Sequence, residues 1–199
     1  MGNTLFASSF TLSYDRMNGT MENIIMSPSD LFDVILGRSI WNTFIGLLNM
    51  FLVFIFAECV FMTPVSFADP LAFILILLAT LMSLASIGVL FSISFVFSRR
   101  SYVLTSVFEY PIYILSGAVV PITMLPDWTN PISMMLAPTW GVEALRASAI
   151  EGYETVFGFG MVGNALMCVL LAMIYLTAAW LLMRRIVNNV TETGSLTRY

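Results

Sequence analysis

The chain has 199 residues, 59% of them apolar and 10% charged; a soluble domain is about 25% charged, so this is the composition of an integral membrane protein. With no histidine and no lysine there is no His-based triad, no HExxH zinc site and no P-loop lysine, and a net charge of −4 offers no basic face to nucleic acid. Cys59 and Cys168 lie far apart without a CxxC partner and read as packing residues.

Residues 1–12 are mildly apolar but too short to span, with neither a secretory signal nor a myristoylation pattern. Residues 14–38 follow. Within them Gly19 and Pro28 bound a short candidate helix, Thr20 to Met26, too short to be stable alone and therefore leaning on membrane or protein. Ser27-Pro28-Ser29-Asp30 reads as a helix start: a Ser cap, Pro at the first position and an acid at the third. Leu31, Val34 and Ile35 then form an apolar stripe running into a first span.

A span needs roughly 20 mostly apolar residues. Four stretches qualify: A, 39–57; B, 71–97; C, 102–120; and D, 161–183. The predicted fold is thus all-α, a polytopic membrane helix bundle forming a single domain over 1–199. Arg16 and Arg38 precede A, Arg99 and Arg100 lie between B and C, and Arg184, Arg185 and Arg198 follow D, leaving only Arg146 on the other side. The positive-inside rule then puts both termini in the cytoplasm of a multi-pass protein of the cell membrane. The tripeptides starting at Asn18 and Asn189 fall on that same side and are expected to stay unglycosylated.

Glu109 is the one charged residue well inside a predicted span. A carboxylate there costs at least about 2.5–3.5 kcal/mol, so it is protonated, paired or facing water. Asn49 in A, and residues 83–86 of B, are hydrogen-bond candidates at comparable depth. Pro111 removes a helix hydrogen bond beside it and should kink the span. Two readings stay open: a residue of a transport path or gate, or static glue between helices.

The outer stretch 121–157 carries Pro121, Pro126, Pro131 and Pro138 yet remains apolar. A disordered loop would be polar. Short helices dipping into the outer leaflet are expected, since irregular backbone at that depth is tolerated only where protein buries it or it lines a cavity. Glu143 and Arg146, three apart, share a helix face. They are either a surface pair of little consequence or, in the functional reading, Arg146 fixes the outer segment against the bundle. The sequence from Gly158 to Gly163 matches GxGxxG, but without a βαβ unit it reads as close helix packing rather than nucleotide binding.

Two blocks go beyond composition. One runs from Asp15-Arg16 through Gly19-Thr20-Met21-Glu22 to Pro28. The other runs from Ser116-Gly117 through Pro121 and Leu125-Pro126 to Pro138 and Glu143-Ala144-Leu145-Arg146. Together they resemble the ABC-2 type permeases, the membrane subunits of a large class of ABC exporters. The first block is similar to that family's cytoplasmic coupling element. The resemblance implies that Gly19, Thr20, Glu22, Ile24, Ile25 and Pro28 contact an ATPase. The second block is similar to the signature between the last two spans, implying a role for Ser116, Gly117, Pro121, Pro126, Pro138, Glu143 and Arg146 in a re-entrant outer segment. The family usually has six spans and this chain matches the last four, so the expectation is either a short, split or mis-started gene or a separate polypeptide that supplies the missing helices. The resemblance further implies a second permease chain, identical or not, and a cytoplasmic ABC ATPase that carries ATP and Mg. This chain is expected to bind no cofactor and to be no enzyme itself. The competing expectation is a four-span accessory protein without transport. An intramembrane hydrolase is disfavoured, because histidine is absent and no span holds an Asp.

Overall fold

The computed structural model describes residue 18 and residues 31–61, 68–95 and 101–193. Among these residues six α-helices follow in chain order: α1, Leu31–Phe61; α2, Pro70–Phe95; α3, Ser101–Leu115; α4, Asn130–Met135; α5, Ala137–Ala149; and α6, Gly160–Thr193. Two 3-10 turns, Ile122–Met124 and Asp127–Thr129, sit between α3 and α4. No strand occurs among the described residues.

Among the described residues three helices are long and apolar enough to cross a membrane: Phe32–Val60 in α1, Pro70–Ser94 in α2 and Gly160–Arg185 in α6. They contain the expected spans A and D and residues 71–94 of B. Span C departs from expectation. Its helix stops at Leu115, and at 1.5 Å per residue it is about 22 Å long, short of the roughly 30 Å core. The cause is local. Gly117 adopts a left-handed φ of 75°, which reverses the chain as helix C-termini commonly do. The Ser116 and Gly117 N–H groups close the last turn on the Ile112 and Ile114 carbonyls, at 2.8 and 3.1 Å. Pro111 lies inside the helix, which continues through it.

α2 is the central element. Leu81, Leu84 and Ile87 pack with Ile112 of α3, flanked by Leu47, Leu136 and Tyr175. Toward its far end, Val89 and Ile93 meet Ile35 of α1 and Ala179 and Met183 of α6. The Ser39 hydroxyl adds a bond to the Ala85 carbonyl at 3.3 Å.

The prolines of 121–138 divide that stretch. Pro121 and Pro126 precede the two 3-10 turns, while Pro131 and Pro138 occupy the first turns of α4 and α5. Each sits where a missing N–H costs nothing. The result is a hairpin, α4 descending and α5 returning, inserted beside α2 and α6. At its mouth the Asp69 N–H donates to the Ser148 carbonyl at 3.1 Å. At its apex the Tyr175 hydroxyl donates to the Met135 carbonyl. Tyr175 lies 15 residues into α6, so the hairpin reaches about 20 Å along that helix.

Candidate functional site

The site is built where the end of α3, the helix α5 and the loop after it converge. α5 places Glu143 and Arg146 one turn apart. The Glu143 side chain is wholly buried, and Arg146 is 23% exposed. The Arg146 guanidinium holds two groups. Nη1 is 3.0 Å from Glu143 Oε1, and Nη2 donates to the Gly117 carbonyl at 2.5 Å. Glu143 has further partners from the loop. The Tyr153 hydroxyl lies 3.2 Å from Oε2, and the Val156 N–H donates to the same oxygen at 3.2 Å. A buried carboxylate requires this degree of satisfaction, since burying two charges costs several kcal/mol per ion, about the size of what their attraction returns. Burial, then the negative charge of Glu143, push the Tyr153 phenol above its usual pKa, so it stays a donor.

Gly117 is needed here for two reasons. Its φ is left-handed, and a Cβ on it would stand 2.8 Å from Ile122 Cγ1 and 3.7 Å from Arg146 Nη1. Ser116 is buried and donates to the Tyr113 carbonyl at 3.1 Å, completing the turn that presents the Gly117 carbonyl to Arg146.

The hairpin apex solves a second problem, breaking a helix partway along α6. Leu136 is extended, with φ −86° and ψ 118°, and that break frees carbonyls. Tyr175 takes the Met135 carbonyl, and Trp140 Nε1 donates to the Met134 carbonyl at 2.9 Å. Trp140 is itself held against Phe157 and Phe159, ring centroids 4.6 and 5.8 Å away. Along its length α5 lies very close to α2. A Cβ on Gly141 would meet Thr80 Oγ1 at 2.4 Å. Cys168 of α6 completes this junction, its Sγ 3.9 Å from the Ala79 carbonyl.

Of the residues singled out from sequence, Ser116, Gly117, Glu143 and Arg146 come together. Pro121, Pro126 and Pro138 shape the hairpin, with Pro138 buried at its apex. Asn49 stands apart on an exposed face of α1, and no hydrogen bond joins it to a described residue. Pro111 is exposed on α3. The Glu109 side chain and all of Gly19, Thr20, Glu22, Ile24, Ile25 and Pro28 lie outside the described residues.

Sequence reasoning missed Gly141, Tyr153, Val156 and Tyr175. Gly141 carries a readable signal: glycine in a helix interior costs about 1 kcal/mol relative to Ala, so its presence hints at close backbone approach. The others are long-range loop or helix contacts without local pattern. No cluster of three metal-ligating side chains occurs among the described residues. The arrangement contains no paired nucleophile and base. It is a clasp that fixes one backbone segment to another.

Comparison with known proteins agrees with the sequence pattern. The family described as ABC-2 type transporter matches residues 1–150, a stretch that includes α1 to α5 and ends where the hairpin closes. Neither the curated proteins nor the solved structures contain a significant match. The match covers well over half of the chain, and both sequence blocks, with Gly117, Glu143 and Arg146 of the clasp, lie within it; the chain belongs to the ABC-2 type transporter family, as a multi-pass membrane permease component of an ABC transporter.

Proposed function

We propose that the chain is the permease subunit of an ATP-driven exporter. A separate cytoplasmic ATPase binds ATP and Mg and docks on residues 14–38, with Gly19, Thr20, Glu22, Ile24, Ile25 and Pro28 at the contact. Two permease chains face each other across the membrane. Both termini are cytoplasmic, as the Arg distribution favours. α3, shorter than the other spans and closed by the turn at Gly117, makes the fourth crossing, and Glu109 and Pro111 border the path on that helix. The hairpin is then re-entrant from the outer face and closes the exit.

The observation that carries this reading is the clasp. A fully buried carboxylate, ion-paired to an arginine that also holds the Gly117 carbonyl, fixes the end of α3 to the hairpin at one defined point. A passive four-span protein can bury apolar side chains there at lower cost. A transporter needs two discrete arrangements and a joint between them. Nucleotide closes the ATPase pair, the docked segment is displaced, and the equilibrium between arrangements shifts by the difference in nucleotide affinity for each.

The test is co-expression with the cognate ATPase, purification and reconstitution into liposomes. The ATPase should co-purify, and its turnover should respond to Gly19→Pro and Glu22→Arg. Arg146→Ala should leave the ATPase bound while altering the rate of nucleotide turnover. If no ATPase binds the chain, or if all three variants leave turnover untouched, the exporter reading is wrong.

A further inference from the structure

α6 turns one continuous face outward. Leu170, Met173, Thr177, Trp180, Leu181 and Arg184 lie within about 100° of arc on a helix of 3.6 residues per turn, and all are exposed. Most of this face offers only hydrocarbon. Leu170, Met173 and Leu181 are 52%, 57% and 55% exposed, and the Thr177 hydroxyl is turned back to the Ile174 carbonyl at 2.9 Å. The face ends on a different chemistry. The central carbon of the Arg184 guanidinium stands 4.1 Å from the centroid of the Trp180 ring, and Arg185 follows, exposed.

The position of that guanidinium decides what it needs. The span Gly160–Arg185 has 26 residues, about 39 Å at 1.5 Å per residue, against a hydrocarbon core of roughly 30 Å. Its last turns therefore lie at the boundary between acyl chains and headgroups. An arginine at the end of a span ordinarily extends its head toward water. Arg184 instead lies on the indole of a residue one turn closer to the middle of the span. Stacking on an aromatic face returns only part of the hydration a cation gives up. Among the described residues no carboxylate pairs with Arg184 or Arg185. The missing charge is an anion at the same depth, and lipid phosphate lies at that depth. Hydrocarbon running up to two cationic side chains at the boundary complements an amphiphile: an acyl chain along the stripe and a phosphate held by the planar guanidinium. A neighbouring polypeptide would have to carry a carboxylate into the boundary to do the same, at a cost.

We infer that Trp180 and Arg184, with Arg185 beside them, form a binding site for an anionic phospholipid whose acyl chain lies on Leu181, Thr177, Met173 and Leu170. The site requires that α6 cross a membrane and is independent of the exporter reading. Ala179 and Met183, which precede the two residues of the pair, are buried against α1 and α2, so an occupied site braces that end of the bundle.

The experiment is native mass spectrometry of the full chain, with its ATPase where that co-purifies, titrated in detergent with dioleoyl phosphatidylglycerol or dioleoyl phosphatidylcholine, alongside thermal unfolding. One phosphatidylglycerol should be held about tenfold more tightly than phosphatidylcholine and should raise the unfolding midpoint, as a ligand of the folded state does. Arg184→Gln should weaken phosphatidylglycerol binding about three- to tenfold, the range for one arginine beside an anionic lipid. Trp180→Leu should weaken it about threefold, and Arg184→Lys should fall between the parent and Arg184→Gln. The decisive control keeps the charge and moves it. Arg184→Gln with Leu182→Arg has the parent's net charge about 200° around the helix, and should bind no better than Arg184→Gln alone. Unfolding midpoints in phosphatidylcholine identify the variants that fold. If the moved-charge variant is not among them, Trp180→Leu, which keeps both arginines, carries the same test. Equal affinity for the two lipids, or full phosphatidylglycerol binding by the moved-charge variant or by Trp180→Leu, would overturn the site. So would competition by inorganic phosphate, which marks a free-anion site, or a cross-link from Leu181→Cys, with Cys59→Ser, to another polypeptide.

Discussion

Gly141→Ala is the smallest change that tests how the hairpin is seated. The added Cβ would lie 2.4, 2.7 and 2.9 Å from Oγ1, Cγ2 and Cβ of Thr80. Ordinary contact begins near 3.4 Å, so α2 and α5 would have to separate by about 1 Å. Thr80 has little room to yield. It is wholly buried, β-branched, and its hydroxyl is held by the Ile76 carbonyl at 2.7 Å. Nor can α5 withdraw without straining the backbone bonds that join Ser148 and Ala149 to Asp69 and Ala68. Overpacking of this kind costs about 1–3 kcal/mol. Three contacts against one rigid side chain place it in the upper half, and the helix propensity gained by Ala returns about 1 kcal/mol. The net loss is about 1–2 kcal/mol, or roughly 2–8 °C in midpoint for a chain of this size. A thiol-reactive dye reads it directly, because Cys168 is buried at the same junction and Cys59, the exposed thiol, can be replaced by Ser. Thr80→Ala removes Oγ1 and Cγ2, so the double variant should recover most of the loss. A Gly141→Ala protein as stable as the parent, or a loss that Thr80→Ala does not relieve, would refute the argument.

Other expectations follow from the clasp and the apex. Arg146→Ala leaves Glu143 buried with only Tyr153 and Val156 as donors, and should cost about 2–3 kcal/mol, below the full penalty for a buried pair because Arg146 is partly exposed; Arg146→Lys should fall between, since an ammonium cannot reproduce the two-pronged grip. Tyr153→Phe should cost about 1 kcal/mol in thermal unfolding. Its pH dependence has a definite sign: the folded phenol has the higher pKa, so the contribution is complete below pH 10 and is lost only as pH rises above that through the folded value. Tyr175→Phe strands the Met135 carbonyl and Trp140→Phe strands that of Met134. Each should cost about 1–3 kcal/mol and speed amide exchange at the α4–α5 apex, an effect that a simple loss of side-chain volume would not localise there.

What could be read in advance tracks the range of the interactions. α1, α2 and α6 are long uninterrupted apolar runs, and their existence was legible from hydropathy alone. The hairpin was legible as a class of object, because four prolines in an apolar stretch forbid both a straight span and a polar loop. The pairing of Glu143 with Arg146 was legible from spacing, but its depth was not. A surface pair and a buried pair have the same i, i+3 signature, and only the loop carrying Tyr153 and Val156 distinguishes them. Span C was overextended for a similar reason. Residues 116–120 remain apolar enough to continue a span, and the left-handed Gly117 that stops the helix is a backbone property that hydropathy does not weigh. Asn49 was placed beside Glu109 on depth alone. Depth fixes height in the membrane but not azimuth, and the azimuth set by Ile35, Ser39, Thr43 and Leu47 turns Asn49 away from the bundle.

The polar chemistry of the fold is unevenly shared, and that unevenness says which parts move together. Along the buried face of α2, Thr80, Ser83, Ser86 and Ser92 all turn their hydroxyls back to carbonyls of their own helix, at 2.7 to 2.8 Å. Such back-bonding gives each hydroxyl an acceptor on its own helix, and α2 meets α5 by shape at Gly141, where a Cβ would stand 2.4 Å from Thr80 Oγ1. The directional bonds lie at the two ends of the hairpin: Asp69 to Ser148 at the mouth, Tyr175 to Met135 at the apex. α2, α5 and α6 are therefore pinned end to end as one unit. α3 is joined to that unit differently, by the apolar contacts of Ile112 and Tyr113, by the stacking of Phe108 on Phe91 at 6.0 Å and by the grip of Arg146 on the Gly117 carbonyl. If the permease alternates between two arrangements as proposed, relative motion is cheapest at that junction, where the Arg146 bond can be exchanged for water without separating α2, α5 and α6. Distance measurements by spin labels should then show α2 and α6 keeping their separation through the nucleotide cycle while the separation of α3 from α6 changes. Constant α3–α6 distances with a changing α2–α6 distance would place the joint elsewhere.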